Sequence, residues 1–320
     1  MPRARGRLPD LLRPRPRRLP GRADRGQGLT AFELIGCPFH LGVRGVGMGA
    51  GPLRLLADDR VPAALSAAGL DATVAWLDEP SEPEHEPGRT FELDRLASMR
   101  VAEAMSDGRL PVLVAGNCIV SLGAIGGIAG GTVGILWLDA HPDFHTPETT
   151  PTGFLDGTGL AAATGACWRA LCSTIPGFAP VAQDHVVLAG VRDIDPGEAE
   201  RLEASSVIVV AGGAGPGRFA ADELERAVAG IATGVDALYL HIDLDVIDPS
   251  LGNANAYATP GGLSPDEVLS AAVAAGGLVP VRAASFTAYD PSHDYDGRFA
   301  DTATDLIVAV LTALGSSPRS

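Results

Sequence analysis

One stretch of the sequence constrains the rest of the chain: an apolar run, residues 133–138, ends abruptly in the polar segment DAHPD, residues 139–143. A short uncharged apolar run predicts a buried strand. Residues i, i+2 and i+4 of an extended segment point to one side, so Asp139, His141 and Asp143 are expected to converge just beyond the strand. Two carboxylates and an imidazole suit a divalent first-row metal ion. A loop that is merely polar is the alternative interpretation of this segment taken alone.

A second segment of the same kind weakens that alternative. The apolar run 238–242 leads into Asp243 and Asp245, which have the same i, i+2 spacing. Two strand ends that each present alternating carboxylates predict a two-metal site, because shared carboxylates hold two ions a few ångströms apart. His241 faces the same side as Asp243. It is interpreted equally well as a ligand, as a residue behind the ligands or as a core histidine.

Short apolar runs alternate with helical segments along the chain, about eight of each. This alternation predicts an α/β fold with three layers, α/β/α, in which helices cover both faces of a mainly parallel sheet of about eight strands. No linker or repeat interrupts the pattern, so residues 31–320 are predicted to form a single catalytic domain. Strands are predicted at 32–35, 72–77, 111–115, 133–138, 185–189, 207–210, 238–242 and 281–286. Helices are predicted at 53–68, 93–105, 120–128, 157–173, 220–232, 265–275 and 302–314, and one begins at 196.

Charge is distributed unevenly along the chain. The formal net charge of the 320 residues is −15, yet residues 1–26 contain nine arginines against two aspartates. The remaining body is strongly acidic, which disfavours nucleic-acid binding as the main function. The basic segment 1–30 lacks the apolar core of a secretory signal. We expect it to be a disordered extension, with a nucleic-acid or membrane-surface arm as the alternative.

Two further features bear on the compartment. The membrane-like window 119–138 contains a Gly-Gly pair and has no basic flanks, so we interpret it as a buried helix followed by a buried strand rather than a membrane span. The four cysteines show no paired spacing. They predict free thiols and a cytoplasmic protein without a membrane partner.

Together these segments resemble the arginase family, the manganese ureohydrolases, over roughly residues 32–314. The family blocks G-G-D-H, D-A-H-x-D and D-x-D appear in the same order as AGNC at 115–118, DAHPD at 139–143 and DLD at 243–245. The resemblance implies an arginase-like fold and a metal-dependent hydrolase of linear amidines with two divalent ions, expected to be Mn²⁺, in a chain that can form a homo-oligomer. The ligand sets it implies are Cys118, Asp139, Asp143 and Asp243 for one ion, and Asp139, His141, Asp243 and Asp245 for the other.

The same resemblance implies substrate contacts in two other segments. GVRDIDPGE at 190–198 matches the family segment that grips a substrate α-amino group, which implies this role for Asp195 and Glu198. Acidic side chains at a strand end suit an ammonium group. An aspartate followed three residues later by a glutamate is also the pattern of a helix capping box, and both roles stay open. Thr150 and Thr152 fall where the family uses hydroxyls near the substrate carboxylate.

Five positions depart from the family pattern. Cys118 replaces a histidine ligand; its softer thiolate makes Zn²⁺, Co²⁺ or Fe²⁺ easier to accept, unless this cysteine is a buried bystander. Ala288 stands where the family places a glutamate that pairs with the guanidinium, which favours a less basic substrate. Asp156 replaces a histidine associated with proton transfer or substrate contact. His145 and Phe154 replace two asparagines that contact the substrate carboxylate, although a histidine can still donate a hydrogen bond there.

Within the family, this combination resembles the amidinohydrolases of D-cycloserine biosynthesis that convert Nω-hydroxy-L-arginine to hydroxyurea and L-ornithine. An N-hydroxyguanidine is less basic than a guanidine, and Asp156 offers an acceptor for its hydroxyl proton. The implied mechanism is attack on the guanidino carbon by a hydroxide that both ions activate and that Asp143 hydrogen-bonds. The alternatives are an ordinary ureohydrolase acting on arginine, agmatine or a guanidino acid, and a metal-poor pseudoenzyme or assembly protein.

Overall fold

The central feature of the fold is a parallel sheet. A computed structural model of the chain describes residues 31–81, 85–212 and 215–316, so the basic extension predicted at 1–30 lies outside the described residues. Numbered along the chain, the strands are β1 Phe32–Cys37, β2 Phe39–His40, β3 Val43–Arg44, β4 Ala72–Trp76, β5 Leu110–Ala115, β6 Val133–Leu138, β7 Val186–Ala189, β8 Ile208–Val210, β9 Ala237–Asp243 and β10 Val281–Thr287. Eight of them form one sheet in the order β4-β1-β5-β10-β9-β6-β7-β8, with every neighbouring pair parallel. The predicted eight-stranded fold class is confirmed.

Helices cover both faces of this sheet, as predicted. They are α1 Arg60–Ala67, α2 Glu86–Ser106, α3 Ser121–Gly127, α4 Gly159–Ala163, α5 Arg169–Cys172, α6 Pro196–Glu203, α7 Ala221–Ala232, α8 Pro265–Leu278 and α9 Arg298–Ser316. Side chains alternate across each strand: in β6, Leu136 and Leu138 pack with α1, α7, α8 and α9, whereas Ile135 and Trp137 pack on the opposite side with α2 to α6. This period of two is what a strand buried on both faces requires.

Two predicted helices are shorter than expected because the backbone leaves the right-handed region. The segment 53–68 is a π-helical turn, Leu53–Ala57, followed by α1, and Asp59 between them has a φ of 59°. The segment 157–173 divides into α4 and α5, with Gly165 at a φ of 76° and Trp168 at 52°. A positive φ is incompatible with continuing an α-helix.

The apolar segments and the cysteines behave as predicted. The window 119–138 contains α3 and β6, both inside the fold. Helix α9 is long and apolar enough to cross a membrane by length and composition alone, but half of it is buried within the protein, where it packs against α1 and α8. All four cysteines are free and buried. A cytoplasmic location stays a prediction.

Candidate active site

The polar strand ends meet at one edge of the sheet. Strands β5, β10, β9 and β6 are consecutive neighbours, so the residues that follow them lie side by side. Two groups of metal-capable atoms result, each with all its members within 4.8 Å of one another: Cys118, Asp139, His241 and Asp243 form the first, and Asp139, His141 and Asp245 form the second. Asp139 belongs to both groups, which is the arrangement expected of a carboxylate shared by two ions.

Both acidic segments use the same local turn. Asp139 Oδ1 accepts a hydrogen bond from the His141 backbone N–H at 2.8 Å, and Asp243 Oδ1 accepts one from the Asp245 N–H at 2.8 Å. An aspartate that bonds the backbone two residues on ends a strand with a tight turn and fixes its own carboxylate. The second oxygen of Asp139 accepts a hydrogen bond from Trp137 Nε1 at 3.0 Å. The D-x-H and D-x-D spacings therefore place these side chains through backbone geometry as well as strand alternation.

Asp143 is placed differently from the other acidic residues. Sequence reasoning put it with Cys118, Asp139 and Asp243, but the first donor group contains His241 in that place and Asp143 is in neither group. It still lines the same cavity, at a φ of 49°, and its buried Oδ2 atom has no hydrogen-bond partner among the described residues. The left-handed backbone at Asp143 interrupts the strand alternation on which the prediction rested.

The protein's own charges make this site strongly acidic. Burial raises the pKa of Asp139 to about 6 and that of Asp156 to about 7, and it also raises the pKa values of Asp143 and Asp243. Burial alone would raise the pKa of Asp245 too, but the adjacent His141 imidazole outweighs it and lowers that pKa. Carboxylates crowded together out of water need a cation or a proton to be stable.

The site residues fit divalent ions. Besides Asp143 Oδ2, the buried Oδ1 of Asp245 has no hydrogen-bond partner among the described residues. Arg192 lies close by, but its guanidinium donates to backbone carbonyls, including those of Asp245 at 2.8 Å and Thr259 at 3.0 Å. It therefore anchors these loops, and its single positive charge offsets only part of the charge of the neighbouring carboxylates. Dications supply the charge and the ligand bonds that these oxygens lack.

Cys118 sits at the floor of the cavity. Its side chain is buried, and its thiol donates to Asp243 Oδ2 at 2.8 Å and contacts the hydroxyl of Thr287 at 3.2 Å. Burial, together with the neighbouring Asp243 carboxylate, raises the pKa of this thiol well above its ordinary value. A metal ion bound here would reverse that shift, because a coordinating thiol is deprotonated.

A cavity of about 270 Å³ opens above the two donor groups. Its wall contains every residue predicted to meet the substrate: Thr150, Thr152, Asp195, Glu198, His145, Asp156, Phe154 and Ala288. The cavity is large enough for a small molecule and is open to solvent on one side. The structure thus brings the predicted substrate residues together with both acidic segments.

The Asp195 and Glu198 pair serves two purposes in this structure. A capping box joins Asp195 and Glu198 at the start of α6, as the alternative interpretation predicted. The same two carboxylates face the cavity, where His145 Nε2 lies 3.2 Å from Asp195 and 3.5 Å from Glu198. The cap fixes the positions of these carboxylates and leaves oxygen lone pairs free to bind a cationic group. In this structure the His145 ring lies where that group would bind.

Asp156 is anchored before any ligand binds. Asn117 Nδ2 donates to its Oδ2 at 2.5 Å and the Ile119 backbone N–H donates to its Oδ1 at 2.8 Å. A carboxylate has about four lone-pair positions, so Asp156 keeps acceptor capacity toward the cavity. These contacts tie the segment after β6 to the AGNC segment after β5.

Sequence reasoning missed several residues that shape the site. Asn255 donates to Asp245 Oδ2 at 3.1 Å and to the Ala288 carbonyl at 2.8 Å, joining two strand ends. Tyr257 forms a stacked pair with Phe154 at a ring-centroid distance of 5.6 Å over the cavity mouth. Both come from an irregular segment whose sequence carries no periodic signal. The hydrogen bond from Trp137 to Asp139, by contrast, joins two residues at i and i+2. Strand alternation places such residues on the same side, so this contact could have been predicted.

Comparison with known proteins agrees with this geometry. The model of the arginase family matches residues 30–313. The arginase of Brevibacillus brevis is 31% identical over 248 residues, which are 73% of this chain and 81% of that protein. The N(omega)-hydroxy-L-arginine amidinohydrolase of Streptomyces lavendulae is 33% identical over 179 residues, 55% of this chain and 60% of that protein. The crystal structure of Bacillus subtilis arginase has the same fold, with a TM-score of 0.75 and 23% identity over 88% of this chain and 98% of that one.

Proposed function

The chain belongs to the arginase family of metal-dependent ureohydrolases, which act on guanidino compounds, and on that basis we propose that its substrate is Nω-hydroxy-L-arginine. The products are then hydroxyurea and L-ornithine. Water adds to the guanidino carbon, the bond from that carbon to the ornithine nitrogen breaks, and the leaving nitrogen takes up a proton. The resemblance to the Streptomyces lavendulae enzyme supports the substrate, although arginases are more numerous among the relatives.

The observation that carries this proposal is Ala288. Strand β10 lies between β5 and β9, so the residue directly after it stands between Cys118 and the DLD segment. Ala288 is buried in the cavity wall and brings only a methyl group. A fully cationic guanidinium therefore finds no carboxylate to pair with at this point of the wall. The missing ion pair weakens the binding of an N-hydroxyguanidine less, because that group is less basic and carries less positive charge.

Asp156 supports the same substrate. Burial raises its pKa to about 7, so it exchanges a proton near neutral pH. Groups with pKa values near the working pH are the most effective general acids and bases. We assign Asp156 to accept the hydrogen bond from the substrate hydroxyl, with Asn117 fixing its orientation.

The opposite end of the cavity suits an α-amino acid. Asp195 and Glu198 offer two carboxylates to the α-ammonium, which takes the position now held by the His145 ring. Thr150 and Thr152 lie on the cavity wall and supply hydroxyls for the substrate carboxylate. His145, displaced toward them, donates a further hydrogen bond to the same carboxylate.

The metal sites follow from the strand ends. We propose two divalent ions, one held by Cys118, Asp139, Asp143 and Asp243 and the other by Asp139, His141, Asp243 and Asp245. When bound, such ions lower the pKa of water enough to make it a nucleophile at neutral pH. The free Oδ2 of Asp143 accepts a hydrogen bond from that water and orients it. Mn²⁺ is the proposed ion, and the thiol of Cys118 admits Zn²⁺, Co²⁺ or Fe²⁺.

Product analysis tests the substrate assignment. Protein stripped with chelator and reloaded separately with Mn²⁺, Zn²⁺ or Co²⁺ is given N-hydroxyarginine, arginine or agmatine, and ornithine, urea and hydroxyurea are quantified. We expect the highest kcat/KM with N-hydroxyarginine and hydroxyurea as its product. Arginine turnover well above that of N-hydroxyarginine would identify an ordinary arginase instead. Failure to bind metal and to turn over any of the three would identify a pseudoenzyme.

A further inference from the structure

His241 is a buried residue that the proposed function leaves without a role. It lies on β9 two residues before Asp243, so both side chains point to the same face of the sheet. Its side chain is fully buried. A ring nitrogen of His241 lies within 4.8 Å of the Cys118 Sγ and of carboxylate oxygens of Asp139 and Asp243. The histidine therefore stands beside the proposed metal ligands rather than deep in the apolar core.

The ring of His241 is held in one orientation. Its Nδ1 atom lies 3.0 Å from the Ser121 hydroxyl and 2.8 Å from the Ser285 hydroxyl. Both hydroxyls are in turn 2.7 Å from the Tyr239 hydroxyl. The imidazole also stacks on Trp137 at a centroid distance of 3.6 Å. A ring fixed by hydrogen bonds on one nitrogen is the usual arrangement of a metal-binding histidine.

The other nitrogen, Nε2, faces Thr287, which also contacts the cysteine. His241 Nε2 has one distant contact, the Thr287 hydroxyl at 3.5 Å, and that hydroxyl is 3.2 Å from Cys118 Sγ. The serine hydroxyls can accept the Nδ1 proton, and this tautomer leaves a lone pair on Nε2 directed toward the donor group. At 3.5 Å the Thr287 hydroxyl holds this lone pair only weakly, and a thiol and two carboxylates lie close enough to share an ion with the ring.

The donor set differs in kind from an all-oxygen site. A thiolate, an imidazole and two carboxylates supply four donors, two of them sulphur or nitrogen. Zn²⁺ and Co²⁺ accept such mixed sets in four-coordinate geometry, whereas Mn²⁺ prefers oxygen. The geometric group also contains His241 in the place where the sequence put Asp143.

We propose that His241 is a further ligand of the ion assigned above to Cys118, Asp139, Asp143 and Asp243, and that its nitrogen, together with the Cys118 sulphur, makes this one of the two positions favour Zn²⁺ or Co²⁺ over the Mn²⁺ that the family resemblance suggests. The inference rests on the proposed binuclear centre but not on the identity of the substrate. Binding releases the thiol proton that now bonds Asp243. The second position, with His141 and two carboxylates, keeps the harder donors.

Cobalt spectroscopy tests the ligand assignment without reference to turnover. Chelated full-length protein is titrated with Co²⁺, and near-ultraviolet thiolate-to-cobalt absorption, visible d–d bands and bound cobalt are recorded. We expect the thiolate band in the wild type and its loss in Cys118→Ser, with Cys172→Ser as the control. His241→Gln is expected to keep the thiolate band, to alter the d–d bands and to weaken binding of one cobalt ion by about tenfold or more. His185→Gln, directly before β7, is the matched histidine control.

A second measurement needs no substitution at His241. An imidazole that binds Co²⁺ gives a strongly shifted ring N–H proton signal, so wild-type protein is expected to show two, one from His141 and one from His241. A single shifted N–H, or unchanged spectra and affinity in folded His241→Gln, would overturn the proposal. So would preferential binding of Mn²⁺ over Zn²⁺ at both positions in competition. Failure of the hydroxyarginine assay would leave these spectra unchanged, so the two proposals fail separately.

Discussion

The metal centre and the cavity mouth are built in different ways. Asp139, Asp243 and Asp245 are 3% exposed or less and belong to turns that end neighbouring strands of the sheet. The mouth is made by the segment after β6 and by the irregular segment around Tyr257, which is 49% exposed. The sheet can therefore keep one metal geometry while the loops vary. Metal chemistry and substrate choice should be separable by mutation.

The largest effect is expected at Asp139, the residue common to both donor groups. Asp139→Asn removes a charge and a shared ligand, so both ions should bind more weakly and kcat should fall by more than the roughly 10- to 100-fold that loss of an outer contact costs. Metal content per chain and kcat are measured together. Asp184→Asn controls for the loss of charge, because Asp184 lies just before β7, at the edge of the sheet opposite the metal centre. Retention of two ions and near-normal kcat would remove Asp139 from the centre.

A pH-dependent effect on stability should follow from the same crowding. The pKa values of Asp139, about 6, and Asp156, about 7, lie above the ordinary value of 3.8. Without metal, the folded chain then binds protons more tightly than the unfolded chain, so this contribution to stability is lost as pH rises from about 4 to about 7. With metal, stability should instead rise over this range, because deprotonated ligands bind ions more tightly.

Thermal melts with and without chelator, between about pH 5 and pH 8, test this divergence. Asp156→Asn should flatten the slope of the chelated protein. A constant difference between the chelated and metal-loaded midpoints would show that the carboxylates do not titrate in this range.

The smallest effect is expected at the mouth, from Asp195→Asn. Asparagine caps helices as well as aspartate, so α6 should keep its stability while the α-ammonium loses a charge partner. KM for N-hydroxyarginine should rise by about tenfold, equivalent to about 1.4 kcal/mol, with kcat little changed. Turnover of 5-guanidinopentanoate, which has no α-amino group, should be unaffected. Equal losses for both substrates, or a lower melting temperature, would assign Asp195 to the cap alone.

The two regions also differed in how far the sequence could predict them. The strand-end positions of Asp139, His141, Asp243 and Asp245 follow from alternation. The structure brings Asp139, His141 and Asp245 within 4.8 Å of one another, but it places Asp243 in the other donor group. Sequence reasoning could not foresee that His241, and not Asp143, lies within 4.8 Å of the other members of one donor group, because this depends on a positive φ and on ångström-scale distances across three strands. Alternation fixes which face a side chain takes, but not which of several neighbours on that face comes within bonding distance.

The mouth was predictable only by resemblance. Thr150, Thr152 and Glu198 were placed through family motifs, and the structure does bring them to the cavity wall. Tyr257 and Asn255 gave no signal because irregular segments have no hydrophobic period to locate them. The breaks at Asp59 and Trp168 were missed for a similar reason, since helical periodicity does not report a single residue with positive φ.

The separation of centre and mouth can be tested most directly with Ala288→Glu. This variant adds a carboxylate to the cavity wall and leaves every proposed metal ligand in the sequence unchanged. We predict that it binds two ions per chain, as we expect of the wild type, and that kcat/KM for arginine relative to N-hydroxyarginine rises by about tenfold or more, or about 1.4 kcal/mol. An unchanged ratio with metal content preserved would contradict the role of Ala288, and loss of metal would contradict the independence of the two regions.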